Sequence, residues 1–195
     1  MAINVSVFHP YNVIDTCAIW NVLSSPMLYA TARTAGCSFY LSQFVLYECL
    51  HKPRQPSTHG PILQKRLRQE QSKGDFKAYR LSIEDLQDTG VLENRLRLGK
   101  GELSSIALAK KINQAFLTDD QKARKFAETI MTGRVQTTPH LFGWLFFTGR
   151  LTDGDKGTII TDHRSLEGNL SPYFEAIYTE SLRCQLMHRR AAATS

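Results

Sequence analysis

Acidic residues stand at four places in this 195-residue chain where an apolar run ends or a helical pattern begins. Asp15 follows Val13-Ile14, and Glu48 lies in Phe44-Val45-Leu46-Tyr47-Glu48. Glu102 follows the break Gly99-Lys100-Gly101, and the pair Asp119-Asp120 follows Phe116-Leu117-Thr118. If these four stations converge, carboxylates ~5 Å apart repel each other by about 3 kcal/mol per pair at an effective dielectric of 20. The neighbouring sequence does not give each of them a fixed lysine. A hard divalent cation resolves the repulsion, and an all-oxygen ligand set suits Mg²⁺ or Mn²⁺. Each acid also has a plainer reading. Asp15 is a good helix N-cap, Asp119-Asp120 complement a helix dipole, and Glu48 and Glu102 are ordinary solvated helix charges. Their shared location favours the chemical reading.

The elements that must position them follow one grammar. Tyr11–Asp15 and Cys37–Leu41 read as buried strands, each followed by a helix: Thr16 with Ala18, Ile19, Val22 and Leu23, and then Gln43–Leu50, with Ser42 as its N-cap. Residues 62–73 read as a basic helix and 79–82 as a strand or extended connector. Ile83–Arg97 has a helical period, and Glu102–Lys111 is a well-formed helix. Ala115–Thr118 is a strand, Gln121–Met131 a helix and Val135–Thr137 a short strand. Thr138 caps a helix with Pro139 at its first position, and Gly149 closes it. The glycine-containing region 150–170 reads as loop, and 172–188 as a final helix. Alternating strands and helices with near-continuously apolar strands predict an α/β fold, a three-layer α/β/α sandwich around a parallel sheet. In such sheets ligands sit at the carboxyl ends of the strands, where these acids fall. No repeat or linker divides the chain, so residues 1–195 are expected to form one domain, with a basic insertion around 51–82 and a C-terminal helical extension around 170–190.

Composition narrows the class. With 42% apolar and 22% charged residues, the chain is neither disordered nor collagen-like. Its longest apolar run, Leu141–Phe147, is far short of the ~20 residues of a spanning helix. The N-terminus does not read as a signal peptide, so a cytoplasmic protein with no membrane partner is expected. Twenty-four Lys and Arg against 18 acids give a net charge of +6, which suits a polyanionic partner. The basic residues gather at Lys52, Arg54, Lys65, Arg66 and Arg68, and again at Arg183, His188, Arg189 and Arg190. Cysteines 17, 37, 49 and 184 form no C-x-x-C pair and read as buried reduced thiols rather than zinc ligands. A dehalogenase-type phosphatase needs a second acid two residues after Asp15, where Cys17 stands. The Gly99-Lys100-Gly101 break lacks the P-loop layout, and is read as the turn that lets Glu102 approach the other acids.

Val13-Ile14-Asp15-Thr16-Cys17, the helix acid Glu48, the run from Gly99 through Glu102 to Ala109, and Phe116 through Asp120 to Arg124 resemble the four acidic stations of a PIN domain. These are small nucleases, many of them VapC-like toxins of toxin–antitoxin modules. The resemblance spans roughly residues 11–170. It implies Asp15, Glu48, Glu102 and Asp120 as catalytic metal ligands, Asp119 as an adjacent ligand, and Mg²⁺ or Mn²⁺ as cofactor. It implies hydrolysis of RNA phosphodiesters, with substrate contacts from Thr16, Thr118, Lys52, Arg54 and Lys100. Tyr11, Trp20 and Tyr47 are candidates to engage unpaired bases, with the core as the commoner place for such aromatics. A cognate antitoxin and a homodimer are the partners it implies. The alternative is a domain of this fold that binds RNA or acts as a scaffold without cutting.

Overall fold

The computed structural model describes residues 4–52, 59–85, 87 and 98–193. Five parallel strands form one sheet: β1 Tyr11–Ile14, β2 Ser38–Ser42, β3 Lys77–Tyr79, β4 Ala115–Leu117 and β5 Val135–Gln136, in the order β3-β2-β1-β4-β5. Register aligns Val13 with Tyr40 on one side and with Phe116 on the other. The chain builds outward from β1 to β3, then returns to β1's other flank for β4 and β5. The order therefore reverses between β1 and β4, and a crevice opens at such a switch point, outside the carboxyl ends of the strands.

Strand alternation sends side chains to two separate cores. Val13 and Phe116 face the helices α5 (Lys100–Lys111) and α6 (Gln121–Ile130). Ile14, Phe39, Leu41 and Leu117 face the larger core on the opposite side. That core is closed by α1 (Thr16–Ser24), α2 (Pro26–Thr34), α4 (Gly60–Ser72), α7 (Thr138–Phe147), α8 (Asp153–Ser165) and α9 (Ser171–Ala193). Helix α3 (Gln43–Leu50) follows β2 directly, with the Ser42 hydroxyl accepting from the Val45 N–H. The architecture is the expected α/β/α sandwich. No helix among the described residues is long and apolar enough to cross a membrane.

Several local expectations need correction. Residues 150–170 are not mainly loop: they carry α8. The Thr152 N–H and hydroxyl both donate to the Asp155 carboxylate at the start of this helix, at 2.7 and 2.8 Å. Only Ile159, Ile160 and His163 are buried along it, so its apolar stripe is too short to show a helical period. Helix α2 was not foreseen, although Ser25-Pro26 is a start signal. Ser25 caps the helix, and Leu28, Tyr29 and Ala32 are buried. The N-cap of α7 is Thr137, one residue before the expected Thr138. β3 lies two residues ahead of its expected start. Ser82 and Asp85 exchange N–H to side-chain bonds at the expected start of the Ile83–Arg97 helix, most of which lies outside the described residues.

The basic helix α4 is partly structural. The Arg66 guanidinium donates to the carbonyls of Leu23 and Ser24, both at 2.7 Å, and so satisfies the C-terminal end of α1. Helix α8 is held by a buried imidazole. His163 Nε2 accepts from the Leu170 N–H at 3.0 Å, which leaves Nδ1 as the donor to the Ser24 hydroxyl at 2.8 Å. Burial pushes the His163 pKa down to about 4. Gly168 lies flat against this ring, and a β-carbon there would sit 2.2 Å from Cε1 and Nε2. Gly168→Ala is therefore expected to cost about 2 kcal/mol by overpacking. A melting curve should show a fall of several degrees; an unchanged midpoint would remove His163 from the account of how α8 is anchored.

Candidate functional site

The crevice at the switch point is a cleft of about 380 Å³, lined by Asp15, Thr16, Cys17, Glu48, Lys52, Gly99, Gly101, Glu102 and Asp120. Four carboxylates from four segments far apart in sequence thus share one space, with Lys52 as the only cation among its lining residues.

Asp15 ends β1 and is the N-cap of α1. Its Oδ1 accepts from the Ala18 N–H at 2.9 Å and from Cys17 Sγ at 3.0 Å, and its Oδ2 accepts from the Thr118 hydroxyl. Burial pushes its pKa up to about 7, against the pull of these three donors, and the nearby Asp119 adds to the rise. Cys17, sharing the same environment, has its thiol pushed far up by burial and by the adjacent carboxylates. It is a hydrogen-bond donor here, not a nucleophile.

Glu102 occupies the first turn of α5 and accepts from the Gly99 N–H at 2.8 Å through Oε2. Its pKa is raised, first by burial and then by the charges of Asp120 and Glu48, as expected of neighbouring like charges. Glu48 reaches in from α3; its Oε2 accepts from the Thr16 hydroxyl at 3.0 Å and its Oε1 from Lys52 Nζ at 3.3 Å. The turn Gly99-Lys100-Gly101 makes this approach sterically feasible. A β-carbon on Gly101 would lie 2.2 Å from Glu48 Oε2, so glycine is what leaves room for that carboxylate. Asp120 caps α6, its Oδ1 accepting from the N–H groups of Lys122 and Ala123, each at 2.8 Å.

Asp119, the other half of the pair, is placed differently. Its oxygens accept from the Thr138 N–H at 2.9 Å, the Thr138 hydroxyl at 2.6 Å and Asn21 Nδ2 at 2.8 Å. It ties β4 to α1 and α7 and lines a neighbouring cavity rather than the cleft. Asp119, expected as an adjacent metal ligand, is thus not among the residues that line the cleft. Its oxygens are taken up by neutral donors, and burial raises its pKa. Thr118 is likewise not a cleft residue. It is fully buried, and its hydroxyl donates to Asp15 and accepts from the Asp120 N–H, so it positions two acids. Thr16 and Lys52 do line the cleft. Lys100 is exposed at the start of α5 and is not among the lining residues. Arg54 lies outside the described residues.

Of the aromatics expected to stack on bases, Trp20 is buried, and Tyr11 sits at the amino end of β1, away from the cleft. Tyr47 is exposed on α3 and stacks on His51, with ring centroids 5.8 Å apart. Sequence reasoning missed Cys17, Asn21 and Thr138 as supports of the aspartates. Their signal was present only in part: Cys17 is two residues past the Asp15 cap, and Thr138 opens the helix after β5.

The donor set suits a hard divalent cation, since it is all oxygen and carries more negative charge than Lys52 offsets. Glu102 Oε1 and Asp120 Oδ2 accept no hydrogen bond among the described residues. The other oxygens are occupied by N–H and O–H donors, mostly at helix starts. Accordingly, among the described residues no three acids, thiols or imidazoles are gathered closely enough to hold one ion. The fit is one of donor chemistry, and the long side chains of Glu48 and Glu102 are the ones with rotamers to close it.

Comparison with known proteins adds one match. No curated protein matches the chain. The model of the family DUF3368, described as PIN domain, matches residues 35–133. That range holds Glu48, Glu102, Asp119 and Asp120; Asp15 lies ahead of it and reaches the same cleft because β1 is central in the sheet. A match over half of the chain, on an all-parallel α/β/α sandwich with its acids at the switch point, places this chain in the PIN-domain family, a family of nucleases.

Proposed function

We propose that this protein is a Mg²⁺- or Mn²⁺-dependent endoribonuclease that hydrolyses RNA phosphodiester bonds. The observation that carries the reading is the single cleft into which Asp15, Glu48, Glu102 and Asp120 project from four separate segments. Asp15, Glu48, Glu102 and Asp120 would hold a divalent ion, which would supply activation of the attacking water and neutralisation of charge on the phosphoryl oxygens. The chain's own residues do the positioning. Thr118, Cys17 and the Ala18 N–H fix the orientation of Asp15, and Thr16 fixes Glu48. Lys52, with 61% of its side chain exposed beside Glu48, is placed to meet a backbone phosphate. Such contacts give affinity without reading sequence.

A toxin role, with a cognate antitoxin covering the acidic cleft, and a homodimeric state are further proposals that rest on likeness to the VapC-like members of the family. The cytoplasm is the compartment that goes with them. The competing reading is a non-cutting RNA-binding scaffold, and one observation favours it: no three potential ligands are gathered around one point among the described residues.

Millimolar Mn²⁺ separates the two. A nuclease site should raise the melting temperature by several degrees, since a ligand at ~100 times its Kd stabilises by about 2.7 kcal/mol. Because Asp15 must shed a proton to take a cation, this rise should grow from about pH 5 to about pH 8. The same preparation should cut a mixed RNA pool with Mn²⁺ and not with EDTA. No thermal shift and no cutting would leave the scaffold.

A further inference from the structure

A larger cavity, of about 800 Å³, opens beside the acidic cleft, and Cys17 and Asp120 line both. The two spaces therefore adjoin at these residues. One wall is α9, which with Asn169 and Leu170 lies beyond the residues matched by the PIN-domain family. The floor is apolar, from Pro139, Leu170 and Ile177, and above it stands Tyr173, a large aromatic that is 62% exposed. The amide side chains of Gln121 and Asn169 complete the rim, and both residues are exposed.

The charge of this lining decides between two parts of a nucleotide. A phosphate track needs a surplus of cations. Here Arg183 is held by Glu180 through two bonds, Nε at 2.8 Å and Nη2 at 2.6 Å, and Asp119 and Asp120 also face the space. Among the described residues Arg124 is the lining cation without an ion pair within 4 Å, and its charge acts on Asp119. The wall is thus not positive, and it offers what a heterocycle needs: a ring to stack on, amides to pair with its edge, and an apolar floor.

We propose that this cavity is a base-recognition pocket for single-stranded RNA. It holds the unpaired base of a nucleotide next to the scissile bond, with Tyr173 stacked on it and Asn169 and Gln121 at its edge. Cleavage is then base-selective at one position. The inference rests on the nuclease reading above, and it assigns selectivity to a helix that this chain adds outside the matched range.

The test has two readouts on the full chain. Short fluorescent oligo(A), oligo(C) and oligo(U) are titrated in EDTA by anisotropy, and cut sites in a mixed RNA pool are mapped with Mn²⁺. The wild type should prefer one base. Tyr173→Ala should weaken binding of the preferred oligonucleotide roughly tenfold and flatten the base preference at one position beside the cut, while cutting continues. Tyr173→Phe, which keeps the ring, should behave as wild type, and Asn169→Ala should change the preferred base. If Tyr173→Ala keeps wild-type affinity and the wild-type cut pattern while Asp15→Asn is dead, the pocket is overturned and the nuclease stands, whatever the variant does to a complex with another protein. If the wild type neither binds nor cuts, the nuclease reading falls and the pocket with it.

Discussion

Asp15→Asn should lose cleavage by at least about a hundredfold and yet melt at a higher temperature than the wild type in metal-free buffer above pH 7. Both effects come from one carboxylate. Its folded pKa lies near 7, raised above the ordinary 3.8 mainly by burial, so the folded state holds the proton more tightly than the unfolded chain does. Below pH 4 both states are protonated and the group is neutral in the balance. As pH rises through the window between about 4 and 7, the unfolded chain gains by ionising while the folded chain does not, and stability is lost. The whole shift corresponds to an upper limit of about 4 kcal/mol at pH 8. Asparagine removes this penalty at little structural cost. Its Oδ1 can still accept from the Ala18 N–H, and the Thr118 hydroxyl, now a donor to Asp15, can accept from the new amide instead. Melting curves of both proteins from about pH 4 to about pH 8 should coincide at the acid end and separate as pH rises. Mn²⁺ should then narrow the gap by stabilising mainly the wild type. Equal pH dependence in the two proteins would mean that Asp15 is not a buried, strained acid. Undiminished cutting by the variant would remove it from the mechanism.

Gly101→Ala should weaken the response to metal while leaving the fold intact. The residue is in the first turn of α5, where alanine is favoured over glycine by up to about 1 kcal/mol. The atom it meets is the tip of Glu48, 2.2 Å from the new methyl position, and that tip can swing away. What is lost is then the Glu48 carboxylate in the cleft, together with its bond from Thr16. Cleavage should fall by at least tenfold, the Mn²⁺-dependent rise in melting temperature should shrink, and the metal-free midpoint should be unchanged or slightly higher. A variant that cuts normally would show that Glu48 can be moved without consequence, and would take it out of the site. A large loss of metal-free stability would instead make Gly101 a packing residue.

The strands and the layers could be read from the chain because their signals are local: near-continuous apolar runs, each followed by a capped helix. The acids could be read for the same reason, since each stands at the end of a run. What could not be read is how the two halves of Asp119-Asp120 divide. Nothing in the sequence says that one turns to Asn21 and Thr138 while the other caps α6. That division is set by the arrival of α1 and α7 on the same side of β4. Likewise Thr118, Cys17 and Gly101 look like ordinary neighbours of acids until the fold shows which atom each one holds or makes room for. Helix α8 hid behind its glycines, because only three of its side chains are buried and its start depends on a bond between Thr152 and Asp155. The role of Tyr173 was hidden for a different reason. It is a surface residue in a helix, and only the packing of α9 over the N-terminal end of α7 places it at the edge of a cavity that joins the cleft.

The central place of β1 also says something about when this molecule becomes active. Asp15 is made early, but the Thr118 hydroxyl that holds it is 103 positions further along. The strand that leads into Thr118 pairs with β1 on the flank opposite β2 and β3. Closing so long a loop is slow relative to local helix formation, because its entropy is lost before the contacts form. The four acids therefore share one cleft only once β4 has paired with β1. A chain in which β4 has not paired with β1 has no complete cleft, so on the nuclease reading cleavage waits for the sheet to be whole.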